Sequence, residues 1–242
     1  MMSPIVRGVL LDIEGTTSSV AYVYEVLFPF ARQHLDAHLA NYWDELSTQH
    51  ALDEVARNAG ARSLADWTRE DSPEAARRRV RDEALRLMEV DAKSTGLKDL
   101  QGLIWRAGFE SGELRSHLFP DVPVALESWT QSGLDVRIFS SGSAAAQQLF
   151  FRHTEQGDLA RRLSGYYDTT IGPKREPSSY RRIADEMRLP AETIVFLSDI
   201  VAELDAACDA GMQTRLVVRP GNAAAPPGHC HTIIHDFGEM GY

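Results

Sequence analysis

The sequence is short of three things: cysteine, long apolar runs and positive charge. Its 242 residues include two cysteines, Cys208 and Cys230. Two thiols cannot build a disulfide framework, and these two lack the paired spacing of a zinc site, so they read as reduced bystanders. No apolar run approaches the ~18 residues that a bilayer span needs. The N-terminal stretch has one early Arg7, a short apolar run and then acids, which is the pattern of a strand rather than a secretion signal. A cytoplasmic protein is expected. Lys and Arg total 25 against 35 Asp and Glu, a net charge of −10. That balance disfavours non-specific contact with nucleic acid or an anionic membrane, but leaves room for a local cationic pocket around an anionic substrate.

What is present is ordinary globular composition, 43% hydrophobic and 25% charged. The length suits one large domain or a core with a smaller lid. Residues 5–12 read as a fully buried strand, with Ile5, Val6, Val9, Leu10 and Leu11. From about 20 to 43 the apolar spacing becomes helical, with Pro29 expected to kink or divide the helix. Residues 44–115 show no strand pattern. Ser72-Pro73 is a helix start, with a capping hydroxyl followed by proline, and the helix should run to about Asp91. Another helix covers about 97–112. The run Arg77-Arg78-Arg79 with Arg81 is interleaved with acids and reads as a solvated helical face rather than a nucleic-acid patch.

After Phe119-Pro120 the texture alternates. Helices are expected at about 122–132, 143–151, 158–163, 178–187 and 200–210. Strands are expected at 135–139, 166–170, 193–197, 214–218 and 232–235. Such alternation predicts an α/β fold, a Rossmann-like parallel sheet with helices on both faces. The core is then residues 1–18 and 117–242, and residues 19–116 form an all-helical insert after the first strand. An insert at that point is well placed to be a lid.

Four features lie where a predicted strand ends. The first is Asp12-Ile13-Glu14 followed by Gly15, Thr16 and Thr17, two carboxylates that could hold a metal or attack a substrate; a solvated strand end is the plainer alternative. The second is Ser140-Ser141-Gly142-Ser143, hydroxyls at a helix start that suit a phosphate, or simply an N-cap. Third is Lys174, a compact cation that could neutralise a phosphate or steady Asp12, or merely be solvated. The last is Asp199, with Glu203 one helical turn later. Asp199 could complete a magnesium site with Glu203 orienting it, or cap the next helix. All four fall on the sheet edge where α/β folds build sites. Their combined chemistry is phosphoryl transfer to a carboxylate, assisted by Mg²⁺ and a cation.

That order resembles the haloacid dehalogenase-like (HAD-like) superfamily, whose helical cap follows the first acid motif. It is similar above all to the enolase-phosphatase (acireductone synthase) family of methionine salvage. The resemblance rests on LLDIEGTT at 10–17, LFP at 27–29, LQG and WRAGF within 100–109, SSGS at 140–143 and GDL at 157–159. GYYDTTIGPKRE at 165–176, SYRRIA at 179–184, FLSD at 196–199 and VVRPGNA at 217–223 complete it. Glu14 departs from the aspartate usual in the superfamily but agrees with this family. The resemblance implies a bifunctional enzyme. It would enolise 2,3-diketo-5-methylthiopentyl 1-phosphate and then release its phosphate to give 1,2-dihydroxy-3-keto-5-methylthiopentene.

The family implies one Mg²⁺ per subunit, a small phosphate-ester substrate, no nucleic-acid or membrane partner, and a monomer. It also implies that Asp12 binds the metal and attacks phosphorus. Glu14 would lend its backbone carbonyl to the metal and its side chain to proton transfer. Ser140, Ser141 and Lys174 would bind substrate and phosphate, and Asp199 would be the last metal ligand. Phe28, Trp105 and Phe109 could line a pocket for the methylthio tail, although packing between helices explains them equally well. Lys98 and Arg106 fit a solvated face better than a substrate contact. A generic small-metabolite phosphatase and a silent Mg²⁺-binding module are the competing readings.

Overall fold

The structure is a computed structural model that describes residues 5–90, 92 and 94–241. The chain divides into two compact units, Met1–Val23 with Arg115–Tyr242, and Tyr24–Leu114. The first holds a six-stranded parallel sheet. Its strands are β1 (Gly8–Leu11), β2 (Asp135–Phe139), β3 (Gly165–Tyr167), β4 (Ile194–Ser198), β5 (Gln213–Val217) and β6 (Thr232–Ile234), in the order β3-β2-β1-β4-β5-β6. Parallel strands need crossovers, and the sequence supplies them as α7 (Asp121–Gln131), α8 (Ala144–Arg152), α9 (Pro177–Met187) and α10 (Val201–Asp209). Val9, Leu10 and Leu11 are consecutive and all fully buried, so both faces of the sheet are covered. Leu10, Phe196 and Leu216 share one cluster with Tyr180, Ile183 and Met187 of α9 and Leu204 and Ala207 of α10. Each leucine, isoleucine, methionine or phenylalanine of this set stabilises the fold by about 1.5–3 kcal/mol through burial.

β1 lies between β2 and β4, with Leu11 opposite Ile138 on one side and Leu197 on the other. This register makes the three strands end nearly level. Asp12 follows β1, Ser140 follows β2 and Asp199 follows β4. The strand is shorter than its apolar run suggests. Ile5 is 84% exposed, because pairing to both neighbours covers only Gly8–Leu11 and continues to Arg7 through two backbone bonds, from Arg7 to Thr193 and from Asp135 to Arg7. Apolar residues without a partner strand do not extend a sheet. β3 likewise stops at Tyr167, since Asp168 turns the chain by accepting from the Thr170 amide and hydroxyl. The helix expected around 158–163 is a single 3₁₀ turn, Ala160–Arg162.

The second unit is helical. A turn α1 (Val20–Tyr22), in the sheet unit, and a π-helical stretch Val23–Leu27 lead into α2 (Phe28–Asn41), with Pro29 in its first turn, where a missing N–H matters least. Then come α3 (Leu46–Asn58), α4 (Leu64–Trp67), α5 (Pro73–Glu89) and α6 (Thr95–Ser111). Ser72 caps α5 through the Ala75 amide, and Gly112 closes α6 in the left-handed region at φ 80°. The end expected for α5 at Asp91 lies outside the described residues. Leu35, Leu52, Val55, Val80, Leu87, Leu100 and Ile104 form this unit's core. Arginines of α5 are engaged locally: Arg79 forks on Asp71, Arg81 meets Asp36, Arg86 forks on Glu83, and Arg77 lies over the Trp43 ring. Phe109 is buried in the unit, and Phe28 and Trp105 stack at 6.3 Å with the indole N–H donating to the Leu27 carbonyl.

Candidate active site

Asp12 is 5% exposed at the end of β1. The Lys174 ammonium lies 2.8 Å from its Oδ1 and 2.6 Å from Glu203 Oε2, so one cation bridges two buried carboxylates. Lys174 reaches them from seven residues beyond β3, and its loop is pinned by two hydroxyls. Ser179 donates to the Pro173 carbonyl at 2.7 Å, and Tyr180 donates to that of Lys174 at 2.6 Å. Burial would depress the lysine, but Asp12 and Glu203 outweigh it and hold the ammonium above its ordinary range. Ser198, the last residue of β4, faces the same pair. Its hydroxyl lies 3.3 Å from Asp12 Oδ2 and 3.2 Å from Glu203 Oε2 while accepting from the Ile200 amide. It has one proton, so it serves one carboxylate at a time. What the geometry gives Glu203 is therefore Lys174 and Ser198, rather than the expected support of Asp199.

Asp199 is not the N-cap of α10. The N-cap of α10 is Ile200, with no side-chain bond, so the capping alternative falls away. Burial, then the nearby Asp12, pushes its carboxyl up to about 7, with Lys174 pulling weakly the other way and Glu14 adding a little. Glu203 is raised for the same reasons, burial first and Asp12 second. Three buried or half-buried carboxylates thus lie near one ammonium, which pairs directly with two of them, Asp12 and Glu203. Among the described residues no three His, Cys, Asp or Glu side chains form a metal cage. A hard divalent cation does not need one, because one or two carboxylates with a backbone carbonyl and water or phosphate oxygens suffice. Asp12, Asp199 and the Glu14 carbonyl fit that donor set, and their excess negative charge is what a cation relieves. The Glu14 carboxylate is not a third side-chain member of such a cage; Glu14 is exposed.

The turn after Asp12 is built for close approach. Gly15 sits at φ 69°, and a Cβ there would collide with the Asp199 carboxylate, lying 2.6 Å from its Cγ. The Thr17 hydroxyl donates back to the Asp12 carbonyl at 3.2 Å, and the amides of Thr16, Thr17 and Ser18 all bond the Ile13 carbonyl. Two residues that the motif reasoning did not single out hold this turn from a distance. Arg219 donates to the Thr16 carbonyl and forks on Asp121, and Asn222 donates to the Gly15 carbonyl at 2.8 Å. Both lie in the VVRPGNA stretch at 217–223, where no local pattern signals a role, because their partners at Thr16 and Gly15 lie more than 200 residues away.

The Ser140 loop leaves β2 with its amide bonded to the Tyr167 carbonyl. Ser140 is buried and Ser141 exposed. Neither caps α8, because Ser143 does so through the Ala146 amide. Asp168 takes the Ala144 amide at 2.9 Å. The amides of Ala144 and Ala146 are therefore engaged within the protein, which leaves the Ser140 and Ser141 hydroxyls and the turn between them and the cap to meet a phosphate. Gln147 braces that turn by donating to the Gly142 and Tyr167 carbonyls.

A family model described as haloacid dehalogenase-like hydrolase matches residues 6–211. Proteins named enolase-phosphatase E1 from Synechococcus elongatus, Pseudomonas syringae and Drosophila mojavensis are 48%, 46% and 42% identical to the chain. These matches cover 97%, 93% and 92% of it and 98%, 93% and 89% of the relatives' own lengths. Among solved structures, the Unknown transcript 4 protein of Saccharomyces cerevisiae superposes with a TM-score of 0.72 at 32% identity, over 96% of this chain and 98% of its own. A dehalogenase at 18% identity and a TM-score of 0.56 shares the fold alone.

Proposed function

The chain belongs to the haloacid dehalogenase-like hydrolases and, among them, to the enolase-phosphatases; from that premise we propose how its residues divide the reaction. The enzyme enolises 2,3-diketo-5-methylthiopentyl 1-phosphate and hydrolyses its phosphate ester, giving 1,2-dihydroxy-3-keto-5-methylthiopentene and inorganic phosphate in methionine salvage. The observation that carries the reading is the buried ion pairing of Asp12 and Glu203 with Lys174, placed where β1 ends between β2 and β4.

In this reading an Asp12 oxygen attacks phosphorus as the bond from phosphorus to the substrate oxygen breaks, and Glu14 gives that oxygen its proton. A water then attacks the phosphoryl group on Asp12 while Glu14 takes the water's proton. Lys174 pairs with Asp12 and offers charge to the phosphoryl oxygens, which Ser140 and Ser141 bind through their hydroxyls. A divalent cation, Mg²⁺ in this proposal, would be held by Asp12, Asp199 and the Glu14 carbonyl and supplies charge neutralisation at phosphate and carbonyl oxygens. Before phosphate release, Glu14 takes the carbon-bound proton and passes it to the neighbouring carbonyl oxygen, which becomes the enol hydroxyl, and the exposed carboxylate then regains a proton from solvent; its extra methylene gives it longer reach than aspartate. Residues 24–114 act as the cap in this reading. No helix among the described residues is long and apolar enough to cross a membrane, and we take the working form to be a cytoplasmic monomer.

NMR of the products formed from the diketo phosphate tests the assignment. Asp12→Ala should release no phosphate, and appreciable turnover would refute the nucleophile. Glu14→Gln should slow enolisation by about 10²–10⁴-fold; an enol formed at the wild-type rate would mean that another base acts.

A further inference from the structure

Asn222 lies in the loop that leaves β5, and its side chain reaches back to the turn after β1. The amide nitrogen donates to the Gly15 carbonyl at 2.8 Å and faces the Val217 carbonyl at 3.4 Å. Two carbonyls on one side decide the amide's orientation, because only the NH₂ end can donate to them. Oδ1 therefore faces the other way. It is buried and has no hydrogen-bond partner among the described residues. Its direction is given by Gly15: the point where a Cβ would sit lies 3.1 Å from Asn222 Oδ1 and 2.6 Å from Asp199 Cγ. The unpartnered oxygen and the Asp199 carboxylate thus approach the same point from two elements 23 residues apart in sequence.

An acceptor beside a carboxylate needs a donor between or near them, and no group among the described residues supplies one to Oδ1. Hydration water on a hard divalent cation does, since Mg²⁺ keeps several waters when it binds through one or two carboxylates. We propose that Asn222 is a positioning residue for the metal: its nitrogen fixes it to the Gly15 carbonyl, and its Oδ1 accepts a hydrogen bond from the hydration shell of the cation held at Asp12 and Asp199. This rests on the reading that those carboxylates hold a cation. Outer groups that orient a metal's shell typically change affinity 10–100-fold when removed. A side chain at position 15 would strike Asp199 and come within 3.1 Å of Asn222 Oδ1.

The test measures Mn²⁺ affinity of the full chain by electron paramagnetic resonance of the free ion, with melting temperatures taken in chelator. Asn222→Ala removes both ends of the amide, whereas Asn222→Asp keeps the acceptor and loses the donor. The expected result is a tenfold or greater loss for Asn222→Ala, with Asn222→Asp binding at least as tightly as the wild type. Equal losses in the two variants would mean that only the hold on Gly15 matters, and affinity within twofold of wild type in Asn222→Ala would overturn the proposal outright. Asn222→Ser, too short to reach the same space, takes the place of Asn222→Ala should that variant not fold. Asp199→Asn distinguishes the premise from the inference. Unchanged Mn²⁺ binding there removes the metal site itself, while loss there with no loss in Asn222→Ala removes only the role of Asn222.

Discussion

Arg219→Met tests whether the turn behind Asp12 is held by a buried ion pair. The arginine side chain is 4% exposed and its two terminal nitrogens fork on Asp121 at 3.0 and 2.8 Å. Its Nε donates to the Thr16 carbonyl and Nη1 also to that of His235, both at 3.0 Å. The guanidinium lies 4.5 Å from the Phe119 ring centre and 4.7 Å from that of Phe237. Methionine fills much of this volume and keeps a favourable sulfur–aromatic contact, so the loss comes mainly from the stranded Asp121 carboxylate, left with the Phe237 amide at 2.8 Å. Breaking a buried pair by removing one partner costs about 3–5 kcal/mol. A loss of that size is therefore expected at pH 7. The double variant Asp121→Asn with Arg219→Met should recover most of the loss, since asparagine strands no charge. Urea unfolding followed by Trp129 fluorescence reads this out, as that ring sits 5.4 Å from Phe237 in the sheet unit. Trp43, Trp67 and Trp105 belong to the helical unit and are replaced by phenylalanine for the measurement. A single-variant loss under about 1 kcal/mol, or a double variant no more stable than the single, would refute the argument.

Two further perturbations address the charges around Asp12. Burial and Asp12 push Asp199 up to about 7, so in chelated protein its stabilising balance is intact below the ordinary carboxylate range and is lost as pH rises through about 7. Asp199→Asn should raise the stability of the chelated protein by about 2 kcal/mol at pH 8, after allowance for solvent screening, and by about a third of that at pH 5; equal gains at both pH values would contradict the assignment. Lys174→Met leaves Asp12 and Glu203 without their shared cation and should lower phosphate release by at least about 10²-fold in steady-state assay. Lys174→Arg should not restore it, because a planar fork does not replace a compact ammonium between two carboxylates.

The strands and crossovers were legible because each is a local pattern: a short apolar run, a turn, a helical spacing, a capping serine. Gly133 and Gly211 marked the ends of α7 and α10 from sequence alone, and both take positive φ. Local pattern failed where pairing decides. Ile5 is as apolar as Val9, yet it has no neighbour strand and stands in solvent. It also failed where a residue had a competitor for its role. Ser140 and Ser143 look alike as caps, and only the start of α8 shows that Ser143 does the capping.

By itself the sequence determined the alternation that makes a parallel sheet, the helical insert after the first strand, and the acid, serine, lysine and acid features at successive strand ends. Those depend on residue type and on spacing over a few residues. Tertiary structure alone decided which carboxylate Lys174 meets besides Asp12, that Ser198 stands between Asp12 and Glu203, and that Arg219 and Asn222 reach back across more than 200 residues to hold the turn at Gly15 and Thr16. Hydrogen bonds and ion pairs act over about 3 Å in space, a distance on which separation along the chain has no bearing. The register of β1 between β2 and β4 brings those groups together, and no single segment encodes it.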